Sequence, residues 1–150
     1  MRMLSIASIV ESNYICIHKI HHRQIDIMKI RIKDSSIRFR LSESEVKRLY
    51  KKGKVTSKCQ FGTSSAFKYS VVAKKDTNPD YLCVHLKNSH IKIELSAADV
   101  KEWYKTDLEG FDSEMDNGTE GGLYVLIEKD WQCLTPRAED EVDLYPNPNA

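Results

Sequence analysis

The sequence predicts an α+β domain: a duplicated ββαββ unit forming a mostly antiparallel eight-stranded sheet or barrel with two helices. Three observations predict it. The chain repeats itself at a spacing of 54 residues. Each repeat alternates apolar and polar residues in strand-length runs, and each has a helix start signal after its second strand.

Residues 31–51 read RIKDSSIRFRLSESEVKRLYK and residues 85–105 read HLKNSHIKIELSAADVKEWYK, identical at nine of 21 positions. Unrelated segments of ordinary composition would share roughly one or two. The same offset aligns Val71 with Val125, Lys75 with Lys129 and Asp76 with Asp130. Copy one is therefore 28–76 and copy two 82–130, joined around Asn78-Pro79.

In copy one, Ile30 and Ile32 alternate with Lys29, Arg31 and Lys33, the pattern of a half-buried strand. Asp34-Ser35 supplies a tight turn. Ile37, Phe39 and Leu41 then alternate with Arg38 and Arg40 as the hairpin's second strand. Ser42-x-x-Glu45 is a capping box, flanked by Leu41 and Val46 at hydrophobic-staple positions. Copy two repeats both devices with Ser96, Asp99, Leu95 and Val100. The helices' apolar stripes are Val46, Leu49, Tyr50 and Val100, Trp103, Tyr104. Gly53 is placed to end the first helix. Two more strands follow in each copy, near 55–61 and 67–74 and near 108–115 and 123–129. Asn117-Gly118 and Gly121-Gly122 supply turns in copy two.

The flanks read differently. Residues 1–27 hold His18, His21 and His22 and are expected to be a poorly ordered extension, with Met28 as the natural start. The short run 4–10 imitates a signal peptide without its cleavage site. Residues 131–150 are expected to be an irregular acidic arm in which Trp131, Leu134 and Tyr145 pack on the core. Its acids Glu139, Asp140, Glu141 and Asp143 are placed to meet the basic copy. At 150 residues, 41% hydrophobic and 30% charged, the chain suits one globular domain. No run of about 18 apolar residues exists, so no membrane partner is expected. Four dispersed cysteines without a CxxC fit free thiols in a cytoplasmic setting.

The net charge of +1 conceals a division. Copy one has 14 Lys/Arg against four Asp/Glu, a net +10, and residues 82–150 have six against 15, a net −9. Aligned positions exchange sign at Arg40/Glu94, Arg48/Glu102 and Lys74/Glu128. The strands' polar face collects Lys29, Arg31, Lys33, Arg38, Arg40, Lys68, Lys74 and Lys87, with His85, Lys92 and Tyr124. Such cations can hold phosphate or carboxylate oxygens. Glu94 and Glu128 on that face are the candidate ligands for a divalent cation. Cys133, near several carboxylates and Arg137, is a candidate reactive thiol. The same charges also suit a solvated sheet face, or self-association of a basic half with an acidic half.

Two resemblances follow. The opening MKIRIK-x-x-SIRFRL-x-x-SEV at 28–46, with EKD-aromatic-x-CL-x-PR at 128–137, resembles a family of small uncharacterised bacterial proteins. That resemblance spans about 28–148, implies Met28 as the start and implies no activity. The duplicated architecture also looks like the CYTH, or triphosphate-tunnel, proteins, barrels that act on triphosphates with divalent metal. Their first strand carries E-x-E-x-K, whereas this chain has Lys29-Ile30-Arg31-Ile32-Lys33. Only Lys33 matches, and the departure argues against the family's catalysis.

Gly-rich phosphate loops, HExxH and GxSxG are absent. Basic and aromatic residues do not interleave as in an RNA-stacking sheet, so nucleic acid is disfavoured. The sequence favours a non-enzymatic binding or interaction module whose basic face meets a small anion or an acidic protein surface, with no cofactor. The alternative is a degenerate tunnel-type phosphohydrolase using a divalent cation. A homo-oligomer follows from the self-association reading.

Overall fold

A computed structural model describes residues 28–135 and 141–150. The expectations for the extension 1–27, for Arg137 and for the acids Glu139 and Asp140 lie outside those residues.

The chain runs β1(Lys29–Lys33), β2(Ser36–Leu41), α1(Glu43–Lys52), β3(Lys54–Gln60), β4(Ala66–Lys74), β5(Leu82–Lys87), β6(His90–Ser96), α2(Ala97–Lys105), β7(Gly110–Met115) and β8(Leu123–Lys129). This is ββαββ twice, as the alternation patterns predict. The strands form two four-stranded sheets, β1-β2-β8-β7 (sheet 1) and β3-β4-β6-β5 (sheet 2). Four strand pairs are antiparallel, while β2·β8 and β4·β6 are parallel. The two-sheet reading holds, and among the described residues no closed barrel forms.

Each sheet takes one hairpin from each half of the chain. Exchanging the halves, so that β1 becomes β5 and β3 becomes β7, turns the order of sheet 1 into that of sheet 2. The inner faces share one core with both helices. Phe39, Leu41, Val125 and Ile127 enter from sheet 1, Val71, Ile93 and Leu95 from sheet 2, and Val46, Leu49, Val100 and Trp103 from the helices. Phe39 and Tyr69 meet edge-on across the sheets with ring centroids 6.2 Å apart. Tyr50 and Tyr104 stack at 4.7 Å where the helices touch.

The register departs from the sequence alignment in the second half of each ββαββ unit. Lys29 lies opposite Arg40 and Cys83 opposite Glu94, which keeps the offset of 54 for the first hairpins. Lys54 lies opposite Val72 and Gly110 opposite Glu128, so the second hairpins are offset by 56. By register, Val125 and Glu128 take the places that Tyr69 and Val72 take in the other hairpin, so Lys74 and Glu128 do not occupy equivalent positions. The cause is local. Gly53 closes α1 in the left-handed conformation, φ 75°, and β3 starts at the next residue. Helix α2 has no such glycine. It ends at Thr106 in extended conformation and needs residues 106–109 before β7. The Lys129 Nζ donates to the Thr106 carbonyl at 2.8 Å, satisfying that end.

The helix starts also diverge. Glu45 accepts from the Ser42 backbone N–H at 3.0 Å and from the Met28 N–H at 2.7 Å. Burial raises the Glu45 pKa, and these hydrogen bonds partly offset that. Ser96 accepts from the Asp99 N–H at 3.0 Å, but Asp99, one methylene shorter, takes the Asp80 N–H at 2.9 Å instead of reaching back. In the arm, Trp131 bridges to Tyr145, and Asp143 accepts from Ser44 at the start of α1. Leu144 takes the buried place, and Leu134, expected in the core, is 63% exposed because it lies beyond the bridge.

Candidate functional site: the outer faces of the two sheets

Alternation sends the cations away from the core, on two outer faces rather than one. Across sheet 1 the outer face reads, edge to edge, Lys29-Arg40-Glu128-Gly110, then Arg31-Arg38-Leu126-Asp112, then Lys33-Ser36-Tyr124-Glu114. Across sheet 2 it reads Lys54-Val72-Glu94-Cys83, then Thr56-Ser70-Lys92-His85, then Lys58-Lys68-His90-Lys87. The eight predicted anion-binding residues are therefore divided. Lys29, Arg31, Lys33, Arg38 and Arg40 lie on sheet 1, and Lys68, Lys74 and Lys87 on sheet 2.

The two glutamates sit at the same end of their faces, each within a set of cations. The Glu128 carboxylate accepts from Arg40 Nε at 2.7 Å and from Arg38 Nη2 at 3.0 Å. Arg38 Nε also lies 2.7 Å from Glu128 Oε1, but its N–H is not aimed at it, so that contact is one of charge only. Lys29 pairs with Asp130 at 2.9 Å. Glu94 pairs with Lys92 at 2.7 Å and Lys74 at 3.1 Å, with His85 Nε2 at 3.5 Å. The Lys92 ammonium, aided by Lys74, holds the Glu94 carboxyl down at about 2. Glu94 and Glu128 stand on different sheets, and among the described residues no three His, Cys, Asp or Glu side chains group as metal ligands. Cys133 is a half-buried free thiol whose backbone N–H donates to Glu141 at 3.2 Å.

The turn ends of the faces are open clefts. On sheet 2 a cleft of about 590 Å³ is lined by Lys68, His85, Lys87, Asn88, His90 and Lys92. None of its lining residues is acidic. Among the described residues, Lys68 and Lys87 have no ion-pair partner. The two-residue turn Asn88-Ser89, with both φ positive, brings β5 and β6 together there. The His90 Nε2 lies 2.9 Å from Ser70 Oγ. Burial, then the charges of Lys54, Lys68 and Lys92, lowers the His90 pKa. The equivalent cleft on sheet 1, about 310 Å³, is lined by Arg31, Lys33, Ser36, Ile37, Arg38, Tyr124 and Leu126. By register Tyr124 replaces Lys68, Ser36 replaces His90 and Leu126 replaces Ser70.

A family model, described as a family of unknown function (DUF7009), matches residues 28–149. The chain belongs to this family. The match begins at Met28, the buried residue whose N–H meets Glu45, and it includes both sheets and the arm. No curated protein and no solved structure matches the chain. Among the described residues, no helix is long and apolar enough to cross a membrane.

The sequence named Lys68 and Lys87, and placed Lys92 and His85 on the same face. It missed Lys58 and His90. Both stand at the odd strand step that joins the basic row, and the pairing of β4 with β6 is needed to see it.

Proposed function

We propose that this protein is an internally duplicated, non-enzymatic binding module that holds a small polyanion on the outer face of sheet 2. One observation carries the reading. Four strands contribute Lys58, Lys68, His90 and Lys87 to a single row, and Lys92 and His85 stand in the next. Adjacent cations repel one another, so an anion that neutralises them gains from every lysine at once. The cleft is open and shallow, which suits charge recognition by ammonium groups rather than enclosure. A compact anion with several oxygens, such as pyrophosphate, matches several donors a few ångströms apart.

The test is calorimetric titration of the full chain with inorganic pyrophosphate at low ionic strength, beside the Lys68→Ala/Lys87→Ala variant. The expected result is binding that weakens with salt, with about a tenfold or greater loss of affinity in the variant. Absence of binding at millimolar pyrophosphate, or equal affinity in the variant, overturns the reading.

A further inference from the structure

The two sheets differ at their edges as well as in their clefts. Among the described residues, β1 pairs only with β2, and β7 only with β8, so both flank sheet 1 as edge strands. Edge strands carry unpaired backbone groups that can template another strand. The outer-face residues of β1 are Lys29, Arg31 and Lys33, and those of β7 are Gly110, Asp112 and Glu114. Arg31, Lys33, Asp112 and Glu114 are all exposed. Arg31 and Asp112 end the same cross-strand row, and Lys33 and Glu114 end the next. Sheet 1 therefore has a basic edge and an acidic edge in matching register. Sheet 2 does not. Its edges end the corresponding rows with Thr56 and His85, and with Lys58 and Lys87.

We propose that sheet 1 is an assembly surface for a second copy of this chain, with β1 of one molecule adding to β7 of the next. Chain direction fixes the geometry. β1 is antiparallel to β2, β2 parallel to β8, and β8 antiparallel to β7, so β1 and β7 run the same way. A neighbour that continues the sheet with its outer face on the same side adds in parallel. It places Arg31 beside Asp112 and Lys33 beside Glu114 without a change of register. Opposite charges in directly neighbouring strands stabilise that pairing, and like charges disfavour pairing β1 with a second β1 or β7 with a second β7. Ile32, 54% exposed on the inner side of β1, gains cover from the same contact. β5 approaches β7 at the Gly110–Asp112 end, where Tyr81 and Leu82 share a cleft with it, but no strand pairing joins them. The contact is heterologous, using a different surface on each partner, so it extends to a chain of molecules or closes as a ring. Copies meeting across sheet 2 would set Lys58 beside Lys87, a like-charge pair that disfavours that edge for the same assembly.

Sedimentation velocity of the full chain tests this over rising protein concentration, at about 0.05 M and about 0.5 M salt. The wild-type chain is expected to form larger species at low salt and to return toward monomer at high salt. Arg31→Glu/Lys33→Glu and Asp112→Lys/Glu114→Lys are each expected to weaken association by about tenfold or more. Mixing the two variants is expected to restore assembly, because the acidic β1 of one then meets the basic β7 of the other. That restoration cannot come from misfolded protein. A wild-type chain that stays monomeric at low salt, or variants that do not complement one another, overturns the proposal.

Discussion

Sheets 1 and 2 have the same strand order and the same core-facing positions, yet they compensate charge differently. On sheet 1 the glutamate comes from β8 and serves two arginines of the neighbouring strand β2. The turn end then mixes cations with Tyr124 and Leu126. On sheet 2 the glutamate lies on β6, two residues from its Lys92 partner, and the turn-end cleft is lined by basic side chains and Asn88 with no acidic one. Topology fixes where a cleft forms, and the outward residues at each register position set what it attracts. A division of charge between the two halves of the sequence becomes, through interlocking hairpins, one basic row on sheet 2 and one sheet with edges of opposite sign.

The comparison breaks most severely at the shared core. Phe39 and Ile93 occupy equivalent positions at the centres of the two sheets, and both are fully buried. Phe39→Ala should cost about 3–5 kcal/mol and Ile93→Ala about 2–5 kcal/mol in urea unfolding. A loss confined to one sheet's amides in hydrogen exchange would show that the sheets unfold separately rather than through one core. Next comes the first residue of β7, after the longer connection. A Cβ at Gly110 would collide with the Ile127 carbonyl of β8. Gly110→Val should therefore destabilise by about 1–3 kcal/mol, while an equivalent change at Lys54 of sheet 2 should be nearly neutral.

A smaller effect sharpens the electrostatic difference. Because the folded Glu94 carboxyl titrates at about 2, below its unfolded value, its contribution is complete above about pH 5 and is lost as pH falls through about 2. Its lysine partners are about two-fifths to one-half exposed, which screens the pairs. Glu94→Gln should thus cost about 1 kcal/mol at pH 7 and flatten the stability profile between pH 5 and 2. Acid titration of unfolding free energy reads both. Smallest in stability is Lys58→Glu at the exposed edge of sheet 2, expected within about 0.5 kcal/mol of wild type. It should nonetheless lower pyrophosphate affinity severalfold in the same calorimetric titration, separating site chemistry from fold.

The residues Ile30 to Leu41 and their counterparts made the first hairpins legible, because period-two alternation with a two-residue turn has one simple solution. Ser42 and Ser96 marked both helix starts. What alternation cannot state is which strand lies beside which. The parallel neighbours β2·β8 and β4·β6 pair residues 88 and 22 positions apart in the chain, as Ser36 with Tyr124 and Lys68 with His90, and no turn chemistry specifies them. The two-residue insertion after Lys105 was hidden for a related reason. Val71/Val125 and Lys75/Lys129 are identities at the wrong register, and only the hydrogen-bonded partners Gly110 and Glu128 expose the shift. The candidate site shared that fate. Its lysines were visible one by one, but their gathering into a row with His90 depends on the pairing of β4 with β6.

The most direct test of the account is an amide chemical-shift titration of the full chain with inorganic pyrophosphate. The account predicts perturbations concentrated at Lys58, Lys68, Lys87, His90 and Lys92, a rise in the His90 pKa on binding, and little change at Arg31, Lys33 and Arg38. Perturbations centred on the sheet 1 residues, or none at saturating pyrophosphate, would contradict the claim that sheet 2 is the anion-binding face.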